Sequence, residues 1–111
     1  MNSNTVIDST TFTELQEAAG AEFVAELVGT FLEEAPGMLA ELRDALAVRD
    51  GERFRRAAHS LKSNSQTFGA LGLGAMAREL ELKGLSDDAP LGVLDQEYAR
   101  VAAALTVLRD A

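Results

Sequence analysis

The sequence predicts an all-α fold, an up-down antiparallel four-helix bundle with a short additional N-terminal helix. Three observations predict it. β-Branched runs with two-residue alternation are missing; Ala, Leu, Glu and Arg dominate, with apolar residues recurring three and four apart; and short breaks carrying Gly, Asp or Pro punctuate the pattern. A length of 111 residues suits one domain with one core. We place it at residues 11–111, after a flexible N-terminus at 1–10.

The first helix is predicted to start near Thr11 or Thr13, because Thr11 with Glu14 and Thr13 with Gln16 both have capping-box spacing. A long second helix reads from Ala21 to Val48, with Phe23, Leu27, Phe31, Ala35, Met38, Leu42 and Ala45 as its apolar stripe. Pro36 removes one backbone hydrogen bond inside it and predicts a kink or a restart. Arg49-Asp50-Gly51 supplies a turn and a helix N-cap, Gly69 to Gly72 a second break, and Gly84 to Pro90 a third. The last helix carries Leu94, Tyr98, Val101, Leu105 and Leu108, spaced as one core-facing stripe. Connections this short make consecutive helices antiparallel neighbours. Internal packing then uses the apolar stripes, which predicts a monomer.

Composition excludes several classes of function. A formal charge of −8 repels both nucleic acid and anionic membrane surfaces. The absence of cysteine excludes disulfides and thiolate metal sites and suits a reducing cytoplasm. A hydrophobic content of 47% is that of a globular chain, yet no apolar run approaches the ~20 residues of a membrane span. Met1 to Thr10 is polar and lacks the basic and apolar stretches of a signal peptide. These features predict a cytoplasmic protein with no metal.

Function concentrates in the third helix, roughly Gly51 to Phe68, which holds the single histidine, His59. At ~100° per residue, Glu52, Arg55, Arg56, Lys62, Ser63 and Gln66 fall within about 60° of His59. Phe54, Ala57, Leu61, Ser65 and Phe68 fall on the opposite side, so the imidazole faces solvent while the apolar face enters the bundle. A lone histidine is, by itself, an ordinary surface or core residue. Here four of the ten basic residues, Arg53, Arg55, Arg56 and Lys62, lie within ten positions of an otherwise acidic chain. A nucleophile in a positive field suits an anionic group.

A neutral imidazole offers a free nitrogen lone pair that can attack phosphorus. The product is a labile phosphoramidate whose charge neighbouring ammonium and guanidinium groups can screen. Small Ser63, one turn along, leaves room for an approaching active site, and Gln66, two turns along, can donate a hydrogen bond to phosphoryl oxygens. Access matters more than depth for such a site.

Ala58-His59-Ser60-Leu61-Lys62-Ser63, followed by Gly69-Ala70-Leu71-Gly72 and Leu80-Glu81, resembles the signature of histidine-containing phosphotransfer (HPt) domains. Family members carry an apolar residue two positions after the histidine, a lysine three after, a small residue four after, and a glycine ten after that ends the helix. Leu61, Lys62, Ser63 and Gly69 stand there, with Ser63 a familiar variant of the commoner glycine. Phe31 to Pro36 is also similar to the helix preceding the histidine helix in many members, so the resemblance runs from about Phe12 to Arg109. It implies a two-component phosphorelay, in which His59 reversibly carries a phosphoryl group between receiver-domain aspartates, with Nε2 the usual acceptor atom. It further implies that Lys62 and Gln66 stabilise the phosphoryl group and that Arg55, Arg56, Ser63 and Gly69 form the receiver-docking face. Partners would be response-regulator receiver domains and a sensor (hybrid) histidine kinase. The domain would be no enzyme and hold no cofactor, with Mg²⁺ supplied by the receiver's carboxylates.

Other motifs read as structural. Gly69 to Gly74 is glycine-rich, but no strand precedes it, so it is a turn between helices. Asp87-Asp88 reads as a helix N-cap with its neighbour, and Glu33-Glu34 as solvated surface. A second reading of the same residues is a helical adaptor that binds a partner through the His59 face without phosphorylation; it would tolerate His59→Gln, whereas a phosphocarrier would not.

Overall fold

Five helices make up most of residues 6–111, the residues described by the computed structural model: α1 (Ser9–Ala19), α2 (Ala21–Ala47), α3 (Gly51–Thr67), α4 (Leu71–Lys83) and α5 (Leu91–Asp110). α3 packs most extensively against α4 and α2, and α5 closes the ring by packing on both α2 and α4. α1 covers one end against α2 and α3. Phe54, Leu61, Leu42, Leu73, Leu94 and Leu105, each fully buried, come from all four long helices and fill one core.

α1 begins earlier than its threonines suggest. The Asp8 carboxylate caps it, accepting from Thr11 N at 3.0 Å. Ile7 is buried, and Asp8 N donates to Gly69 O at 2.8 Å. Residues 7–10 therefore belong to the ordered domain, contrary to a flexible 1–10; residues 1–5 lie outside the described residues.

In α2 the buried line is Val24, Val28, Phe31, Ala35, Leu39, Leu42 and Ala45. It departs from the predicted stripe at Phe23, Leu27 and Met38, and Phe23 is 51% exposed. Helix geometry explains the difference. At ~100° per residue, Val24 falls in line with Leu42 at the middle of the buried face, whereas Phe23, Leu27 and Met38 lie about 100°, 60° and 40° to one side of it. At Phe23 and Leu27 a side chain larger than that of the buried neighbour, Val24 or Val28, drew the expectation one residue off.

No restart occurs at Pro36, because α2 runs through it as one helix. The carbonyl that the missing Pro36 N–H would have engaged is that of Leu32. Tyr98 Oη on α5 lies 3.5 Å from that carbonyl oxygen and donates toward it, while its ring meets Phe31 edge-on at 6.2 Å between centroids. Burial pushes the Tyr98 phenol above its ordinary pKa.

The breaks fall where expected. Asp50 caps α3 through Arg53 N at 3.1 Å. Asp87-Asp88 does not cap α5, which starts after Pro90 with no side-chain cap; Asp87 pairs instead with Arg49, and Asp88 accepts from the Ser86 hydroxyl. Gly69 ends the α3 segment at φ +82°, where an added Cβ would lie 2.9 Å from Asp8 O. A left-handed backbone and a backbone clash both oppose any side chain there. Gly69→Ala is therefore expected to cost about 1–3 kcal/mol in urea unfolding, and an unchanged midpoint would contradict the close seating of Asp8.

Candidate functional site

The site is built on the seam between α3 and α4. Phe54, Ala57, Ala58, Leu61 and Ser65 turn one face of α3 into the core. His59 faces away, its side chain 57% exposed. Opposite, α4 brings a row of Gly74, Ala77, Glu81 and the capping residue Gly84 against α3. Gly74 meets Gln66 and Ser65, Glu81 meets His59, and Gly84 meets Arg55. Numbers rise on one helix as they fall on the other, so the pair is antiparallel. Small residues let the helices approach, and the one carboxylate in the row lands on the histidine.

Glu81 bridges two groups of α3. Its Oε2 lies 2.9 Å from His59 Nδ1, and its Oε1 lies 2.9 Å from Lys62 Nζ. Lys62 first, then the bond to His59, holds the Glu81 carboxyl below its ordinary pKa, against desolvation that acts the other way. An ionised carboxylate only accepts, so Nδ1 must donate, and the neutral ring keeps its lone pair on Nε2. Glu81 is 25% exposed, which shelters the bond without sealing it. Local spacing on α3 could not reveal this partner, although its place as the lone acid in a small-residue row was a usable signal.

The positive field is smaller than the residue count suggests. Arg53 turns toward α2 and pairs with Glu41 at 2.8 Å and Asp44 at 2.7 Å. Arg56 lies 3.5 Å from Glu52, one turn back on the same helix, and Lys62 is taken by Glu81. Arg55 makes no ion pair among the described residues. A shallow, open depression surrounds the imidazole, lined by Glu52, Arg55, Arg56, His59, Ser60 and Glu81. Sequence reasoning missed Ser60 as part of it.

The remaining expected site residues are less united. Ser63 is exposed on α3 but does not line the depression, and Gln66 lies farther along, beside Gly74. Gly69 is buried and bonded to the segment before α1, so it cannot belong to an exposed docking face. Its role is to end the helix.

Four carboxyls, those of Asp8, Glu41, Glu81 and Asp88, sit below their ordinary pKa because Thr11, Arg53, Lys62 and Ser86 respectively bond the ionised form. The folded state thus holds these protons less readily than the unfolded chain. Their contribution is present above about pH 4–5 and is lost as pH falls through the lower folded values. The melting temperature should be level between about pH 7 and 5 on this account and should fall below about pH 4. A melting temperature that rises on acidification would contradict these four contacts.

The family described as Hpt domain matches residues 26–109. Sensor protein TorS of Escherichia coli (strain K12) is 30% identical over 105 residues, covering 95% of this chain and 11% of that protein. This chain thus spans only about a tenth of that relative. The crystal structure of histidine-containing phosphotransfer protein B (HptB) from Pseudomonas aeruginosa PAO1 matches with a TM-score of 0.86 and 29% identity, over 97% of each chain. The helical order found here is thus that of a solved phosphotransfer protein.

Proposed function

This chain belongs to the Hpt domain family, whose function is histidine phosphotransfer in two-component signalling, and we propose that His59 is the residue that carries its phosphoryl group. The observation that carries the assignment is the bond between Glu81 and Nδ1, which leaves the lone pair on Nε2 of a half-exposed ring. In the reaction we propose, Nε2 attacks the phosphorus of a receiver's aspartyl phosphate. The acyl O–P bond breaks, the aspartate leaves with the electron pair, and an N–P bond forms. Positive charge develops on the ring as it reacts. Glu81, accepting from Nδ1–H, stabilises that charge and fixes the ring's orientation, as a carboxylate does behind a catalytic imidazole. Reversal hands the group to a second receiver.

Lys62 acts in this scheme through Glu81, keeping it ionised, while Arg55, Arg56 and Ser63 offer the surface a receiver meets; Gln66 is an accessory donor farther along α3. We assign the Mg²⁺ of the transfer to the receiver's carboxylates. The phosphoryl group would originate from a sensor kinase, this domain having no kinase activity of its own. The cytoplasm is the setting we propose, since a cysteine-free chain suits a reducing compartment.

A two-step transfer tests the scheme. With labelled phospho-receiver and Mg²⁺, the chain should gain acid-labile label and lose it again when a second, unphosphorylated receiver is added. Glu81→Gln keeps an acceptor but removes the charge, and should slow the first step about tenfold, the loss expected for one charge-assisted hydrogen bond. Unchanged rates in that variant would remove Glu81 from the mechanism.

A further inference from the structure

We propose that Arg55 is the cation that meets the phosphoryl group on His59, and that Lys62 is kept from that place by Glu81. The proposal rests on the phosphotransfer reading and refines it. Lys62 Nζ is engaged by Glu81 Oε1 at 2.9 Å, and that carboxylate also holds His59. Pulling the ammonium away would strip Glu81 of the contact that most favours its charge.

The surface around the ring points the same way: Arg55 and Arg56, on the turn before His59, line the depression around it, whereas Lys62, on the turn after, does not. Arg55 is four residues before His59, the spacing at which helical side chains are neighbours.

Of the two arginines, Arg55 is the one available. Arg56 faces Glu52 at 3.5 Å, whereas Arg55 has no ion pair among the described residues, and residues 1–5 contain no carboxylate. Its guanidinium lies beside Gly84, at the C-terminal end of α4, 3.4 Å from where a Cβ would stand. Gly84 has φ +71° and is buried, so the glycine that ends α4 also makes space for this side chain. A guanidinium presents two parallel N–H donors to phosphoryl oxygens, a geometry an ammonium lacks.

The test needs no docking partner. Phosphoramidate phosphorylates the imidazole directly: Nε2 attacks phosphorus, the donor's N–P bond breaks, and ammonia leaves. The ³¹P resonance of the product is then followed against pH in wild type, Arg55→Gln, Arg55→Lys and Lys62→Gln. Glu52 and Arg56 on α3 and Glu81 on α4 also face the group and are common to all four. A neighbouring guanidinium favours the dianion, so the pH at which the phosphoryl group loses its last proton should rise by about one unit in Arg55→Gln. It should rise less in Arg55→Lys, which keeps the charge, and less in Lys62→Gln. An Arg55→Gln titration that overlays wild type, or a larger shift in Lys62→Gln, overturns the proposal. A wild-type chain that yields no phosphohistidine signal overturns the phosphotransfer reading itself, and the role of Arg55 with it.

Discussion

His59→Gln accepts no phosphoryl group from a receiver, yet unfolds within about 0.5 kcal/mol of the wild type. Both halves of the result follow from where the residue sits. The imidazole is more than half exposed and lies on the face of α3 opposite its buried side chains, so its replacement opens no cavity. Glu81 loses one partner but keeps Lys62. Glutamine fills similar space and can still donate a hydrogen bond, but its amide nitrogen has no available lone pair for attack on phosphorus. Residual transfer at a measurable fraction of the wild-type rate would place the phosphoryl group elsewhere. A loss of stability above about 1.5 kcal/mol would make His59 a structural residue.

Phe54→Ala produces the converse. Phe54 is five residues before His59 on the same helix, about 140° around it, and is fully buried among the core side chains. Removing a buried phenyl ring costs about 3–5 kcal/mol, from lost transfer energy and the cavity left behind. A domain of this size has about 5–15 kcal/mol in total, so the variant should unfold at much lower urea and be partly unfolded near body temperature. Transfer should return on cooling or with a stabilising osmolyte, which separates lost fold from lost chemistry. A cost below about 1 kcal/mol would mean that the ring is less tightly enclosed than its burial states.

That two residues so near in sequence behave so differently is legible in the sequence, because the 3.6-residue period assigns them to opposite faces. The helix breaks were legible for the same local reason: Asp50 caps, Gly69 and Gly84 adopt positive φ, and Pro90 stands just before the first residue of α5. Where neighbouring positions were both apolar, as at Phe23 and Val24, side-chain size misled and only a strict account of rotation selects the buried one. The start of α1 was placed too late because the capping-box spacing of the two threonines drew it away from Asp8, the residue that caps the helix and also bonds Gly69, 61 residues away in the chain.

Contacts between helices were the least legible part of the site. Spacing on α3 names the neighbours of His59 on its own helix, but Glu81 comes from α4 and Glu41 and Asp44 from α2. Those three acids redistribute the basic cluster: Arg53 leaves it, Lys62 is tied down, and Arg55 remains. Gly69 was legible as a residue that ends a helix and illegible as a buried one, since its exposure depends on the segment folded over it.

The nitrogen that bears the phosphoryl group is the most direct test of the account. In protein labelled with ¹⁵N at histidine, phosphorylated through a receiver or by phosphoramidate, the imidazole correlations distinguish the two ring nitrogens. Phosphorus coupling at Nε2, with the Nδ1 proton still present and still shifted by Glu81, is the predicted result. Coupling at Nδ1, or a ring unchanged while label resides on another residue, would contradict it.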